Sequence, residues 1–225
     1  MLIDPYFIKR LPKWHHRRLL YTLSARLQER YSAYYFEEYA LPLKTRDALP
    51  PPPDARWGET QVEPEQARYL LAALQESESH GGCVVEVGAW RGETTAWMAA
   101  NTKRPVVAID PWIGDRNEVN YRAFLARTAH LDNVFAERKP FGQAIREWSH
   151  GKASFAFIDA AHDYVNVAHD LAAVQRIMVP GGIMAFHDTD NVAFAGCRRA
   201  LYEKVELFEV VAHITNLVIL RNDGR

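Results

Sequence analysis

The stretch Val84-Val85-Glu86-Val87-Gly88-Ala89-Trp90-Arg91-Gly92-Glu93-Thr94-Thr95 decides the fold. Valines ending at Gly88 predict a short buried strand. A turn follows, and a helix is expected to start near Glu93. Glycine is needed where a backbone turns tightly or touches a ligand. Free N–H groups at the helix start favour an anion by roughly 0.3–1 kcal/mol. A dinucleotide fingerprint requires glycine two positions after the first. Trp90 stands there and would obstruct a pyrophosphate. Glu86 would repel phosphates but could orient an ammonium group. The E-x-G-x-x-x-G spacing with a following threonine therefore suits an amino-acid-bearing cofactor better than a dinucleotide.

Similar apolar runs recur downstream. They are Val106-Val107-Ala108-Ile109 before Asp110, a stretch near Asn133-Val134-Phe135, Phe155-Ala156-Phe157-Ile158 before Asp159, and Gly182-Ile183-Met184-Ala185-Phe186 before His187-Asp188. Segments with helical spacing lie between them, such as Val167, Leu171, Val174 and Ile177. Alternating strands and helices predict a parallel sheet covered on both faces, with ligands beyond the carboxyl ends of its strands. Leu207–Val211 and Leu217–Leu220 have only a short connection, which predicts an antiparallel hairpin at the edge. The expectation is an α/β, Rossmann-like, doubly wound, mostly parallel sheet of seven strands with an antiparallel C-terminal hairpin, plus an N-terminal helical arm.

Asp110 falls about twenty residues after the glycine turn, where a carboxylate can accept from ribose hydroxyls. Pro111 and Trp112 follow, and the indole is expected over an adenine ring. Asp159 and His162 come just past one strand, and His187, Asp188 and Asp190 just past the next. Neighbouring strands would bring the two loops together. Two carboxylates with a substrate oxygen suit a hard divalent ion such as Mg²⁺, and a histidine can accept a proton near neutral pH. Alternatively, Asp159 and Asp188 cap the helices that follow, and His162 is an ordinary loop residue.

Four phrases carry a family resemblance: Glu86-Val87-Gly88-Ala89-Trp90-Arg91-Gly92, Ile109-Asp110-Pro111-Trp112, Phe157-Ile158-Asp159-Ala160-Ala161-His162-Asp163-Tyr164, and Val179-Pro180-Gly181-Gly182 leading to Phe186-His187-Asp188. In this order they resemble class I S-adenosylmethionine-dependent methyltransferases over residues from about 62 to 222. Within that class, the group of catechol and macrocin-type sugar O-methyltransferases is the most similar pattern. The resemblance implies S-adenosylmethionine as cofactor, held by Glu86, Gly88, Ala89, Trp90, Gly92, Thr94, Thr95, Asp110, Pro111, Trp112 and Asp159. It adds Gly142 and Gln143 from an adenine-side loop. It implies metal ligands at Asp159 and Asp188, a base at His162, and a hydroxylated small molecule or sugar as acceptor. Relatives often have Asp-Asp or Asp-Asn where His187-Asp188 stands, so His187 either ligates or packs.

Two other readings start from the same residues. One is a nicotinamide-dependent oxidoreductase, against which Trp90 counts. The other is a non-catalytic cofactor-binding protein, against which the Asp159, His162 and Asp188 set counts.

Four consecutive prolines, Pro50 to Pro53, mark a boundary. Residues 1–61 are expected to form a helical arm and proline-rich linker, and residues 62–225 the cofactor-binding domain. Leu20, Leu23, Leu27, Tyr31 and Tyr34 make a helical stripe in the arm. Lys9, Arg10, Lys13, Arg17 and Arg18 form a basic patch, either a contact for an anionic membrane, a polyanionic glycan precursor or nucleic acid, or a solvated helix face. Its aromatic residues suit a lid or a homodimer contact. Across all 225 residues, 27 basic against 28 acidic side chains give no general case for nucleic acid. Two isolated cysteines argue against a thiolate metal site or disulfide scaffold, and apolar runs are too short for a membrane span. A cytoplasmic setting is expected.

Overall fold

The computed structural model describes residues 62–113, 115–189 and 195–224. The arm, linker, basic patch and Asp190 lie outside the described residues. The elements run in the order α1 (Pro64–Glu76), β1 (Cys83–Val87), α2 (Glu93–Ala100), β2 (Val106–Ile109), α3 (Asp115–Thr128), β3 (Val134–Glu137), α4 (Phe141–Arg146), β4 (Ala153–Ile158), α5 (Tyr164–Ile177), β5 (Met178–Phe186), α6 (Ala195–Tyr202), β6 (Phe208–Ile214) and β7 (Leu217–Asn222). No described helix is long and apolar enough to cross a membrane.

The seven strands form one sheet in the order β3-β2-β1-β4-β5-β7-β6. Strands β1 to β5 pair in parallel, and β7 runs antiparallel to both β5 and β6. From β1 the chain moves outward to β2 and β3, then returns to place β4 on the other side of β1. The strand order therefore reverses between β1 and β4, and a crevice opens there at the carboxyl ends.

Strand β1 is buried along its whole length, as expected for a central parallel strand covered on both faces. Side chains alternate across it. Cys83, Val85 and Val87 pack with Leu171 and Val174 of α5 and with Leu201 of α6. Val84 faces the other layer, with Leu70 and Leu74 of α1 and Met98 of α2. Glu86 shares the Val84 face and enters the interior beneath α2. Its carboxyl is there because the strand period puts it there. Pro64 starts α1, where its missing N–H is harmless, and Gln66 accepts from the Glu63 N–H at 2.9 Å.

Strand β5 is longer than the expected run over residues 182–186. Pairing of Ala153 with Met178 carries it back through Pro180 and two glycines, with a register irregularity. In the hairpin, Phe186 pairs with Val218, so the turn at Thr215 and Asn216 sits beside the end of β5.

Candidate active site

A cleft of about 520 Å³ opens at the crevice between β1 and β4. It is lined by Glu63, Gln66, Glu86, Gly88, Ala89, Trp90, Glu93, Thr94, Asp110, Pro111, Asp159, Ala160, Ala161, His162, His187, Asp188 and Asn216.

Gly88 lets the walls approach. Its φ is 98°, and a Cβ there would meet the Asp159 carbonyl oxygen at 2.0 Å. The crossing is held by Asp159 N–H donating to the Val87 carbonyl at 2.9 Å. Behind it, Glu86 is 2% exposed, and the Thr95 hydroxyl donates to its carboxylate. Desolvation pushes the Glu86 pKa up to about 8 despite that hydrogen bond, and the charges of Asp159, Asp110 and Glu93 add to the rise. A cationic ligand beside Glu86 would relieve this cost.

Asp110 organises the next wall. Its Oδ2 accepts from the Trp90 N–H at 3.0 Å and its Oδ1 from the Trp112 N–H at 2.8 Å. Both tryptophans have left-handed backbones, with φ of 43° and 39°.

Trp112 departs from expectation. Its indole is 1% exposed and packs against Tyr121 and Phe124, with ring centroids 4.8 Å away in each case. Its Nε1 donates to the Trp90 carbonyl at 2.6 Å. The ring braces the loop from beneath and does not line the cleft. Gly92, Thr95, Gly142 and Gln143 are also absent from the cleft wall. Gly92 makes the αL turn into α2, where a Cβ would strike Phe124 at 2.8 Å. Gly142 is buried in α4, and Gln143 donates to Glu147 at 2.9 Å.

At the far end, the ends of β4 and β5 bring Asp159, His162 and Asp188 together. One ligand atom from each falls within 4.8 Å of the others. His162 Nε2 lies 3.5 Å from Asp188 Oδ2. The helix-capping alternative for Asp159 fails, because Asp163 caps α5 by accepting from the Asn166 N–H at 3.0 Å. Asp188, at φ 56°, accepts from Asn216 Nδ2 at 3.0 Å. Two carboxylates and an imidazole converging on one point suit a divalent cation.

His187 sits deeper, with Nδ1 3.4 Å from Asp159 Oδ1. Burial alone would lower its pKa. The hydrogen bond and charge of Asp159, with the charges of Asp188 and Glu63, outweigh burial and raise it.

Gln66, Glu63 and Asn216 are cleft residues that the motifs did not reveal. Gln66 is fully buried on the apolar face of α1, and that misplaced amide was the only signal.

A Rossmann-like sheet with a glycine turn, an acidic residue at the second strand end and an acid–imidazole cluster at the fourth and fifth defines a chain similar to class I S-adenosylmethionine-dependent methyltransferases. Residues 85–189 match the model of a family described as a methyltransferase domain. A dimethylglycine N-methyltransferase from Parasynechococcus marenigrum is 30% identical over 142 residues, covering 61% of this chain and 47% of that protein. The chain thus spans about half the length of the curated relative it matches. Among solved structures, an O-methyltransferase from Bacillus cereus in complex with S-adenosylhomocysteine aligns with a TM-score of 0.54 at 16% identity, covering 97% of this chain and 96% of that one. The O-methyltransferase NovP aligns with a TM-score of 0.62 at 15% identity, covering 89% and 98%. Neither the nicotinamide reading nor the non-catalytic one is favoured by these matches.

Proposed function

We propose that the chain is an S-adenosylmethionine-dependent O-methyltransferase acting on a hydroxyl of a small molecule or sugar. The observation that carries this reading is the convergence of Asp159, His162 and Asp188 in the same cleft as Glu86, Gly88 and Asp110. The buried Glu86 would hold the cofactor's ammonium group, the N-terminus of α2 its carboxylate, and Asp110 its ribose. The acceptor would enter at the acid–imidazole end.

In the reaction, a lone pair of the acceptor oxygen forms the new C–O bond as the C–S bond breaks. The sulfonium becomes a neutral thioether, and His162 takes the hydroxyl proton. Asp159 and Asp188 would hold a divalent cation, which when bound lowers the hydroxyl pKa and fixes its oxygen. The cleft wall orients both substrates and limits water.

The activity named for the Parasynechococcus relative favours a second reading, methylation of nitrogen. A neutral amine carries its own lone pair and has less need of a base or cation. The acid–imidazole cluster therefore favours oxygen.

The test is transfer of isotopically labelled methyl to hydroxylated and amine acceptors by the protein and by His162→Ala. Loss of about 10²-fold or more in kcat for a hydroxyl acceptor, with cofactor affinity kept, supports the base assignment. Unchanged turnover in the variant, or label found only on nitrogen, refutes the O-transfer mechanism.

A further inference from the structure

The cleft carries charge of one sign. The carboxyl groups of Glu63, Glu86, Glu93, Asp110, Asp159 and Asp188 line it, and among the described residues no lysine or arginine does. All but one of these acids have counterparts. Glu93 pairs with Arg127 Nη2 at 3.1 Å. In the reading above, Glu86 meets the cofactor's ammonium and Asp159 and Asp188 share a divalent cation. Asp110 accepts from the N–H groups of Trp90 and Trp112 at 3.0 and 2.8 Å and faces the ribose. Glu63 is left over. It has no ion-pair partner among the described residues.

Glu63 belongs to the acceptor end of the cleft. Its N–H donates to Gln66 Oε1 at 2.9 Å. The Gln66 amide donates to Asn216 Oδ1, and Asn216 Nδ2 donates to Asp188 Oδ1 at 3.0 Å. This chain of hydrogen bonds fixes the first turn of α1 against the end of β5. The cation nearest in sequence to the glycine turn, Arg91, lies over the Trp90 ring, 5.7 Å from its centroid, on the Asp110 wall. The cofactor does not neutralise Glu63 either. With its ammonium on Glu86 and its carboxylate at α2, it leaves one positive charge, on the sulfonium, against Asp110 and Glu63 together. Without a divalent cation, Asp159 and Asp188 add to the excess. A phosphate or carboxylate on the acceptor would enter against this field, whereas an ammonium group beside Glu63 completes it.

We propose that the acceptor is a hydroxylated amine, such as an amino sugar, an aminocyclitol or an amine-bearing phenol, and that Glu63 reads its ammonium group. The inference rests on the O-transfer reading above and deepens it by naming the acceptor class. A protonated amine has no lone pair, so the methyl still goes to oxygen. A carboxylate at a helix start also stabilises the helix dipole. That role alone would change stability and leave the choice between charged acceptors untouched.

The test is transfer of labelled methyl to matched acceptors that share a ring and differ in one group. One set is methyl glucosaminide, glucoside and glucuronide, and the other is tyramine, p-ethylphenol and p-hydroxyphenylacetate. In a set that is methylated, kcat/KM for the ammonium member should exceed that for the neutral member by about two- to fivefold. It should exceed that for the carboxylate member by at least about tenfold. Glu63→Lys should lower the ammonium-to-carboxylate ratio by at least about tenfold, mostly through KM, and Glu63→Gln should lower it less. Added salt should shrink the preference. Equal or better use of a carboxylate member overturns the proposal, and that comparison needs no variant to fold. A ratio that Glu63→Lys leaves within about twofold overturns the role of Glu63. Transfer to a neutral hydroxyl but to neither ammonium member overturns the acceptor class and leaves the O-transfer reading standing. Label on the amine nitrogen refutes that reading and the inference with it.

Discussion

Replacing Glu86 with Gln should remove a pH dependence from the stability of the ligand-free protein. The Glu86 carboxyl ionises near 4.5 in the unfolded chain and near 8 in the folded one, chiefly because burial desolvates it. Between those values the folded state holds a proton that the unfolded state has released. Stability is therefore full below pH 4.5 and declines as pH rises toward 8, where the loss is complete. At 1.4 kcal/mol per pH unit, the cost is about 3 kcal/mol at pH 7 and about 5 kcal/mol at pH 9. Urea unfolding of both proteins from pH 4.5 to 9 measures the difference. The gap should widen in favour of Glu86→Gln as pH rises. Calorimetry supplies a second reading. A cofactor ammonium beside Glu86 should displace its proton, so binding near neutral pH should release a proton, seen as a dependence on buffer ionisation enthalpy. A parallel pH profile in the two proteins refutes the reasoning, as does proton release that persists in Glu86→Gln.

Gly88→Ala should destabilise the fold by at least about 3 kcal/mol, because the new Cβ meets the Asp159 carbonyl at 2.0 Å on a left-handed backbone. Denaturant unfolding checks this, and the cofactor cleft should be lost with it. Arg104, 8% exposed, donates to Leu74 O at 2.9 Å, Ser77 Oγ at 3.0 Å and Ser154 Oγ at 2.7 Å, away from the cleft. Arg104→Met should cost about 2–4 kcal/mol of stability while leaving cofactor affinity within about twofold, measured by unfolding and titration.

The sheet was legible because buried parallel strands are written as uninterrupted apolar runs. Cys83–Val87 and Val106–Ile109 end in the structure where those runs end. Glu86 stood out because a carboxylate inside such a run has to be buried. Asp159, His162 and Asp188 were readable because adjacent strand ends must place their loops side by side. Trp112 was misread. Its position after Asp110 was clear, but its direction is set by a left-handed φ that no spacing reports. Gln66 and Asn216 were invisible for another reason. They are 150 residues apart in sequence and meet only because β7 runs antiparallel beside β5.

Calorimetric titration of the folded, EDTA-treated protein with S-adenosylmethionine is the most direct test of the central claim. Saturable binding at one site, weakened by Asp110→Ala, is the predicted result. No binding at millimolar cofactor would contradict it and leave the glycine turn a structural feature only.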